Sequence, residues 1–320
     1  MHCYNDSGTE RGSLSLSLLK KLAMELKGLG VMSFTLSGGE PLLHPEIREI
    51  ITFLHQNGIE AHLVTNGSLL NDIATVFPCI HAIQVSLDGA CDKTHDFIRG
   101  KKGSFDTIMS QLSALDEITL NKVTLKMVVT SRNKDEILEY IGLAKKIGVH
   151  RVSFGWLNNL GRAEGNSNLA ITDLEKMHLI DQINDQIRSN DKLEIVPVGT
   201  TDLCPYVNKE GKTTINMNLR IDSDGNIFPC QLISCNKFIL GNIHTINIRD
   251  LSNSQKVNAL FDYAKERQNH IAKCSVCVWQ TVCKGGCIGD GMTDDNLYSP
   301  DSLCDLRRMV FLENVMKKRK

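Results

Sequence analysis

The chain has 320 residues, of which 42% are hydrophobic and 23% are charged, a composition typical of a globular protein. Its 36 basic and 37 acidic residues leave a formal net charge of -1, which indicates neither a nucleic-acid partner nor an anionic membrane surface. No apolar run reaches the roughly 18 residues of a membrane span, and the start lacks the pattern of a signal peptide, so we expect a cytoplasmic protein.

The cysteines are distributed unevenly. Of the 11 cysteines, Cys3, Cys79 and Cys91 precede residue 200, and the other eight follow it. Thiols stay reduced in the cytoplasm, so the crowded cysteines indicate metal ligands rather than disulfides. Cys79 and Cys91 lack ligand spacing, and we expect them to be buried as small hydrophobic residues. The change in composition predicts two domains, at residues 1–199 and 200–320.

The first part of the chain alternates helix and strand. A leucine-periodic helix is followed by the strand "VMSFTLSGG", and "HPEIREIITFLHQNG" is followed by "IEAHLVTNG". Further along, "AIQVSLDG" and "VTLKMVVTS" are short apolar strands, and "NKDEILEYIGLAKKIG" precedes "VHRVSFG". Glycines such as Gly58 and Gly148 mark the helix ends. This order predicts an α/β fold with a parallel sheet that curls into a full or partial barrel.

Polar or glycine-rich segments follow the predicted strands. They are "SGGEP", "TNG", "SLDG", "TSRN" and "GWLNNLGRAEG", and in a parallel sheet they open at one mouth. "TNG" by itself is compatible with ordinary turn chemistry. In "SGGEP", Gly38 and Gly39 let a charged ligand approach the main chain, and Glu40 and Pro41 fix the turn.

The second part of the chain begins with a predicted hairpin. "LRIDSDGNIFPC" has an Asp-Gly turn at Asp224 and Gly225, with Cys204 before the hairpin and Cys230 at the end of its returning strand.

A dense cysteine motif, "CSVCVWQTVCKGGC", follows, and Cys304 comes later in "PDSLCDL". Gly285 and Gly286 relieve crowding so that several thiolates can converge. The ordered spacing indicates a metal site, and a tetrahedral zinc site is one alternative at this point.

Taken together, Cys3 followed by "YNDSG", then "LSGGEPLL", "VSLDGACDKTHDFIRGKKGSFD" and "NNLGRA", resemble the radical S-adenosylmethionine (SAM) superfamily, in particular its members with a SPASM extension. The resemblance implies a partial (β/α)6 TIM-like barrel and a small cysteine-rich SPASM domain with a β-hairpin. In that family a CxxxCxxC loop binds a catalytic 4Fe-4S cluster. Cys3 matches the third of these cysteines, so we expect a longer polypeptide whose first strand and two cluster cysteines precede Met1; a cluster-free homologue is the alternative.

The resemblance also implies cofactor contacts. Gly38, Gly39 and Glu40 correspond to the segment that holds the SAM amino group. Ser86 corresponds to a ribose or carboxylate contact, and Arg99 to the arginine that pairs with the SAM carboxylate. Asp88 and His95 are left outside this set, as a turn residue and a capping residue.

The SPASM resemblance assigns the later cysteines to two auxiliary iron-sulfur clusters. Cys204, Cys230 and Cys287 belong to the first cluster, and Cys235 is a hypothetical further ligand for it. The second cluster is assigned Cys274, Cys277, Cys283 and Cys304.

By this resemblance, the enzyme cleaves SAM reductively and uses the 5′-deoxyadenosyl radical to oxidise or cross-link a peptide or protein. An electron donor such as flavodoxin or ferredoxin is implied. Two alternatives stay open: a tetrapyrrole-modifying relative, and a non-catalytic iron-sulfur or zinc protein.

Overall fold

The computed structural model describes residues 12–158, 161–163, 167–189, 192–199, 204, 206, 218–293 and 296–317. The chain forms two compact units, Met1–Val198 and Gly199–Lys320. Each unit has its own sheet.

The first unit contains a parallel sheet of six strands that neighbour one another in chain order. The strands are β1 (Ser33–Leu36), β2 (Glu60–Thr65), β3 (Ile80–Ser86), β4 (Val123–Val129), β5 (Arg151–Trp156) and β6 (Glu194–Val196). Strictly sequential parallel strands require a crossover in the same direction each time, which is the winding of a barrel wall. The predicted α/β class is confirmed, and the short strand β6 is an addition that the sequence reading missed.

Helices precede the first strand or lie in the crossovers. They are α1 (Leu16–Lys27), α2 (Ile47–Gln56), α3 (Asp92–Arg99), α4 (Ser104–Ser113), α5 (Glu117–Leu120), α6 (Ile137–Ile147) and α7 (Asp173–Ser189). Between β2 and β3 the chain instead forms a 3-10 segment, Leu70–Cys79. Helices α2 and α6 are followed by Gly58 and Gly148, with φ of 65° and 87°, so the predicted glycine stops are confirmed.

The two faces of the sheet differ in polarity. Along β4, burial alternates, with Leu125 and Met127 fully buried and Lys126 between them only partly buried. Register places Lys126 beside Ser86 of β3 and Ser153 of β5. Because side chains alternate across a strand, these three residues form a polar row on the face opposite the apolar core.

The second unit is built from short elements. Strands β7 (Arg220–Ile221), β8 (Asn226–Phe228) and β9 (Gly241–Asn242) pair antiparallel, and the Asp-Gly turn connects β7 to β8 with Gly225 at φ 84°. The predicted hairpin is therefore confirmed. Helices follow: α8 (Gln255–His270), α9 (Ala272–Ser275), α10 (Gln280–Cys283) and α11 (Cys304–Lys317).

A buried arginine holds the loops of this unit. Arg267 of α8 is fully buried, and its guanidinium donates hydrogen bonds to the carbonyl oxygens of Gly285, Gly291 and Ser299. A Cβ at Gly291 would overlap Nη2 of Arg267, so only glycine fits there. The N–H donors of the Arg267 guanidinium thus satisfy loop carbonyl oxygens, which main-chain N–H groups would satisfy in a regular sheet.

Candidate functional site

The glycine-rich loop follows β1 at the carboxyl edge of the sheet. Gly38 has φ of 142°, a conformation that favours glycine, and a Cβ at either Gly38 or Gly39 would meet nothing within 4 Å. Glu40 is occupied within the protein, since its carboxylate accepts hydrogen bonds from Thr65 Oγ1 at 2.6 Å and from the Asn66 main-chain N–H at 2.7 Å. Glu40 therefore fixes the end of β1 against the end of β2 and leaves the loop facing open space.

A buried ionic network lies just beyond β3. Asp88 is fully buried, and its Oδ2 lies 2.7 Å from Nε of Arg99, at the end of α3. The other oxygen, Oδ1, accepts a hydrogen bond from the main-chain N–H of Val128 at 2.9 Å. The Asp88 main-chain N–H donates to Nδ1 of His95 at 3.0 Å. This network fixes Arg99 to Asp88, which lies two residues beyond the strand that ends at Ser86.

His95 is held in its neutral form. Burial, followed by the positive charge of Arg99, lowers the pKa of His95 to about 4. Because Nδ1 accepts the hydrogen bond from Asp88, the ring proton belongs on Nε2. The sequence predicted a turn residue at Asp88 and a capping residue at His95, and this prediction missed the network. The only local signal of the network is a charged residue shortly after an apolar strand.

Lys126 is a second residue that the sequence analysis did not single out. Its Nζ donates to Ser153 Oγ at 3.0 Å and to the carbonyl oxygen of Phe154 at 2.9 Å. Burial lowers the pKa of this lysine, with the charge of Asp88 opposing the shift. The single lysine inside the apolar strand "VTLKMVV" is the signal that would have found it.

In the second unit, Cys204, Cys230 and Cys287 form the first cysteine set. Burial raises the pKa of all three thiols, and that of Cys287 reaches about 12, with nearby Cys204 and Cys230 adding to the shift. Main-chain N–H groups point at the sulfurs, including that of Ile288 toward Cys204 and that of Leu232 toward Cys230. Neighbouring, half-buried cysteines whose sulfurs accept N–H hydrogen bonds fit the chemistry of iron-sulfur ligands.

The second cysteine set consists of Cys274, Cys277, Cys283 and Cys304. These four line one small pocket that opens to solvent. Burial raises the pKa of Cys304 to about 11, and it also raises the pKa of Cys274, where neighbouring Cys283 and Cys277 contribute. The pocket thus brings together all four cysteines that the SPASM resemblance assigned to one site, and four thiolates are a ligand set for an iron-sulfur cluster.

A buried ion pair lies between the two sets. Asp301 and Arg307 form a two-pronged pair with distances of 3.0 and 2.9 Å, and both side chains are almost fully buried. Asp301 also accepts a hydrogen bond from the Cys287 main-chain N–H at 2.6 Å, and Nη1 of Arg307 lies 3.8 Å from Sγ of Cys283. A Cβ at Gly286 would overlap the Asp301 carboxylate. This glycine therefore relieves crowding against the Asp301–Arg307 pair, and its expected role in letting thiolates converge stays a prediction.

The remaining cysteines differ in their surroundings. Cys235 is buried in an apolar cluster with Phe238 and Tyr263, against which Cys204 and Cys230 also pack. Cys3 lies outside the described residues. The expectation that Cys79 and Cys91 are buried is wrong: Cys79 is half-buried and Cys91 is exposed, because it lies in the surface turn immediately before α3.

The sheet, its glycine-rich edge and the two cysteine sets define an iron-sulfur protein built on a partial α/β barrel. The pattern of the Radical SAM superfamily matches residues 1–143, and that of the iron-sulfur cluster-binding SPASM domain matches residues 213–278. The chain belongs to the radical SAM superfamily and carries a SPASM domain. Among the described residues, no helix combines the length and apolar character needed to cross a membrane.

Relatives match almost the whole chain. The subtilosin bacteriocin biosynthesis protein AlbA of Bacillus subtilis is 25% identical over 99% of this chain and 70% of its own length. An AdoMet-dependent heme synthase of Methanosarcina barkeri is 25% identical over 89% of this chain and 86% of its own. Among solved structures, anSMEcpe with bound AdoMet and a Cp18Cys peptide is 18% identical, covers 99% of this chain and 92% of its own, and superposes with a TM-score of 0.69.

Proposed function

We propose that this protein is a radical SAM/SPASM enzyme that oxidises or cross-links a peptide or protein substrate. The observation that carries the proposal is the combination, in one chain, of the glycine-rich edge of a parallel sheet with two cysteine sets. When bound, a reduced 4Fe-4S cluster and SAM supply an electron and a 5′-deoxyadenosyl radical that abstracts hydrogen from the substrate.

We assign the SAM contacts to residues at the carboxyl edge of the sheet. A Cβ at Gly38 or Gly39 would meet open space, so the amino group of SAM can approach this loop closely. Glu40 acts as a positioning residue, because its carboxylate is used to hold the ends of β1 and β2. Arg99, fixed through Nε by Asp88, offers its Nη groups to the SAM carboxylate, and Ser86 contacts the ribose or carboxylate. Cys3 is proposed as one ligand of the catalytic cluster.

The cysteine sets are proposed to hold two auxiliary clusters, which would supply an electron acceptor or a coordination site for the substrate. The first set needs a further ligand, and we propose Cys235, which lies in the same apolar cluster as two members of the set. Iron and sulfide counts on Cys235→Ala test this assignment, with Cys91→Ala as a control because Cys91 is exposed. We expect Cys235→Ala to lose iron and the control to keep it; equal loading would rule Cys235 out.

The relatives support a peptide as the substrate class. AlbA is a bacteriocin biosynthesis protein that matches 99% of this chain, and anSMEcpe, which shares the fold, is solved with a peptide. A peptide substrate is therefore the main candidate. A tetrapyrrole is the second candidate, because the heme synthase matches 89% of this chain. A flavodoxin or ferredoxin is the proposed electron donor, and the cytoplasm, where thiols stay reduced, is the proposed location.

The decisive experiment measures SAM cleavage. The protein, with any in-frame residues that its gene encodes upstream, is reconstituted anaerobically with iron and sulfide and then reduced. We expect 5′-deoxyadenosine by mass spectrometry, with a yield that rises when peptides encoded by neighbouring genes are added. Stimulation by tetrapyrroles alone would favour the second candidate. No 5′-deoxyadenosine under any condition, or a colourless protein that binds zinc in the cysteine sets, would overturn the proposal.

A further inference from the structure

A cluster of metal-ligating side chains lies at the edge of the sheet opposite the glycine-rich loop. Glu60 is the first residue of β2, His62 lies two residues further along the same strand, and His81 is the second residue of β3. The amino ends of parallel neighbouring strands meet at one edge, so these residues are held by two rigid elements. This cluster belongs to neither the SAM site nor the cysteine sets.

The donor atoms of the three side chains converge. Oε2 of Glu60 lies 3.3 Å from Nε2 of His62, and Oε1 of the same carboxylate lies 3.6 Å from Nδ1 of His81. One ligand atom from each side chain lies within 4.8 Å of the other two. The two imidazole rings stack with their centroids 5.0 Å apart and an interplanar angle of 19°. Two imidazoles therefore present nitrogens toward one carboxylate.

An irregularity in the sheet produces this convergence. Ala61 pairs with Ile80 and His62 pairs with Ala82, so His81 is an extra residue in β3, as in a β-bulge. Burial in β3 confirms the interruption, because Ile80 and Ile83 are both buried while the two residues between them are not. The extra residue turns His81 toward the face that carries His62. Bulges commonly re-aim a side chain at a functional position.

The chemistry of the three side chains suits a particular class of ion. Two imidazoles and one carboxylate are the ligands of many zinc sites, and they also suit other first-row divalent metals. The side chains of His62, Glu60 and His81 are 34%, 46% and 55% exposed, so an ion can reach them and water can complete its coordination.

We propose that Glu60, His62 and His81 form a binding site for a divalent transition-metal ion such as Zn²⁺, separate from the iron-sulfur chemistry. A bound ion links β2 to β3 at the bulge. The proposal does not depend on the radical SAM activity, since its ligands come from the opposite edge of the sheet.

The test counts zinc on the iron-loaded protein. Wild type, His62→Gln and His81→Gln are equilibrated anaerobically with buffered Zn²⁺ and analysed for zinc and iron by mass spectrometry. His150→Gln is the control, because His150 also lies near a strand-end glutamate, with Nε2 3.6 Å from Glu194. We expect wild type and the control to bind one more zinc ion per chain than either test variant, with iron unchanged in all four. Equal zinc in all four proteins would overturn the proposal.

A second measurement covers the case in which a test variant misfolds and loses iron. Zinc X-ray absorption on the wild-type protein reports the ligand atoms directly. We expect a shell of nitrogen and oxygen with the outer-shell scattering of imidazole. A shell dominated by sulfur would place the zinc on the cysteines and refute the site.

Discussion

Replacement of Asp301 by asparagine tests the importance of the ion pair between the cysteine sets. The substitution keeps the size of the side chain and removes its charge. Asp301 and Arg307 are both almost fully buried, so the guanidinium would lose its counter-charge in a site that water cannot reach. Breaking a buried pair in this way costs about 3–5 kcal/mol. The main-chain N–H of Cys287 would also compete for the one remaining acceptor oxygen.

The same chain offers a matched control. Asp305 pairs with Lys273 at 2.6 Å, and the two side chains are 54% and 36% exposed. An exposed pair contributes about 1 kcal/mol or less, so Asp305→Asn should change stability little. Both substitutions remove one carboxylate charge close to Cys304, and they differ mainly in burial.

The assay is thermal unfolding of the anaerobic, iron-loaded proteins, together with iron and sulfide counts. We expect the melting temperature of Asp301→Asn to fall on the order of 10 °C and that of Asp305→Asn by less than about 4 °C. Asp301→Asn should also lose iron, because Asp301 contacts Cys287 of the first set and positions Arg307 beside Cys283 of the second. If the two variants melt within a few degrees of each other and keep the same iron, the reasoning is wrong.

Three further predictions concern the first unit. The unfolded state protonates His95 near pH 6.5 and the folded state only near pH 4, so the free energy of unfolding should fall by up to about 3 kcal/mol as the pH drops from 6.5 to 4. His95→Asn keeps an acceptor for the Asp88 N–H and should remove this pH-dependent contribution, as measured by urea unfolding at a series of pH values. The same pH profile in the variant and the wild type would contradict the assignment. Glu40→Gln should weaken SAM binding severalfold in equilibrium dialysis, because an amide cannot accept both hydrogen bonds that hold the loop; unchanged binding would exclude the positioning role. Gly38→Ala should destabilise the protein by about 1–2 kcal/mol through its positive φ, whereas Gly39→Ala should be neutral, and equal melting temperatures would refute this.

Much of the first unit could be predicted from the sequence because its signals are local. Apolar periodicity and terminal glycines determine where α2 and α6 end, and apolar runs mark β3 and β4. Strand β6 was missed because its three residues, Glu194–Val196, are too few to show a pattern. The 3-10 segment before β3 was missed for a similar reason, since its Pro78 and short turns resemble a loop.

The site was predictable only where its residues are close in sequence. The spacing of Cys274, Cys277 and Cys283 indicated one metal site, and these residues line one cavity with Cys304. The partners of Asp88 could not be predicted, because the side chain of Asn133 reaches its carbonyl oxygen from 45 residues away. The bulge at His81 was equally hidden, since strict alternation of a strand gives no sign of an extra residue.

Arg267 both holds the loops of the second unit and places a positive charge near its cysteines. Its guanidinium binds three loop carbonyls, and its charge opposes the rise that burial causes in the pKa of Cys204 in one set and of Cys274 in the other. A cluster bound by the thiolates of either set would gather negative charge, and this permanent cation would offset part of it at both places. A lysine here would keep the positive charge but lacks the planar guanidinium that donates to several carbonyls. A substitution of Arg267 would therefore change the rigidity of the loops and the reduction potential of a bound cluster together.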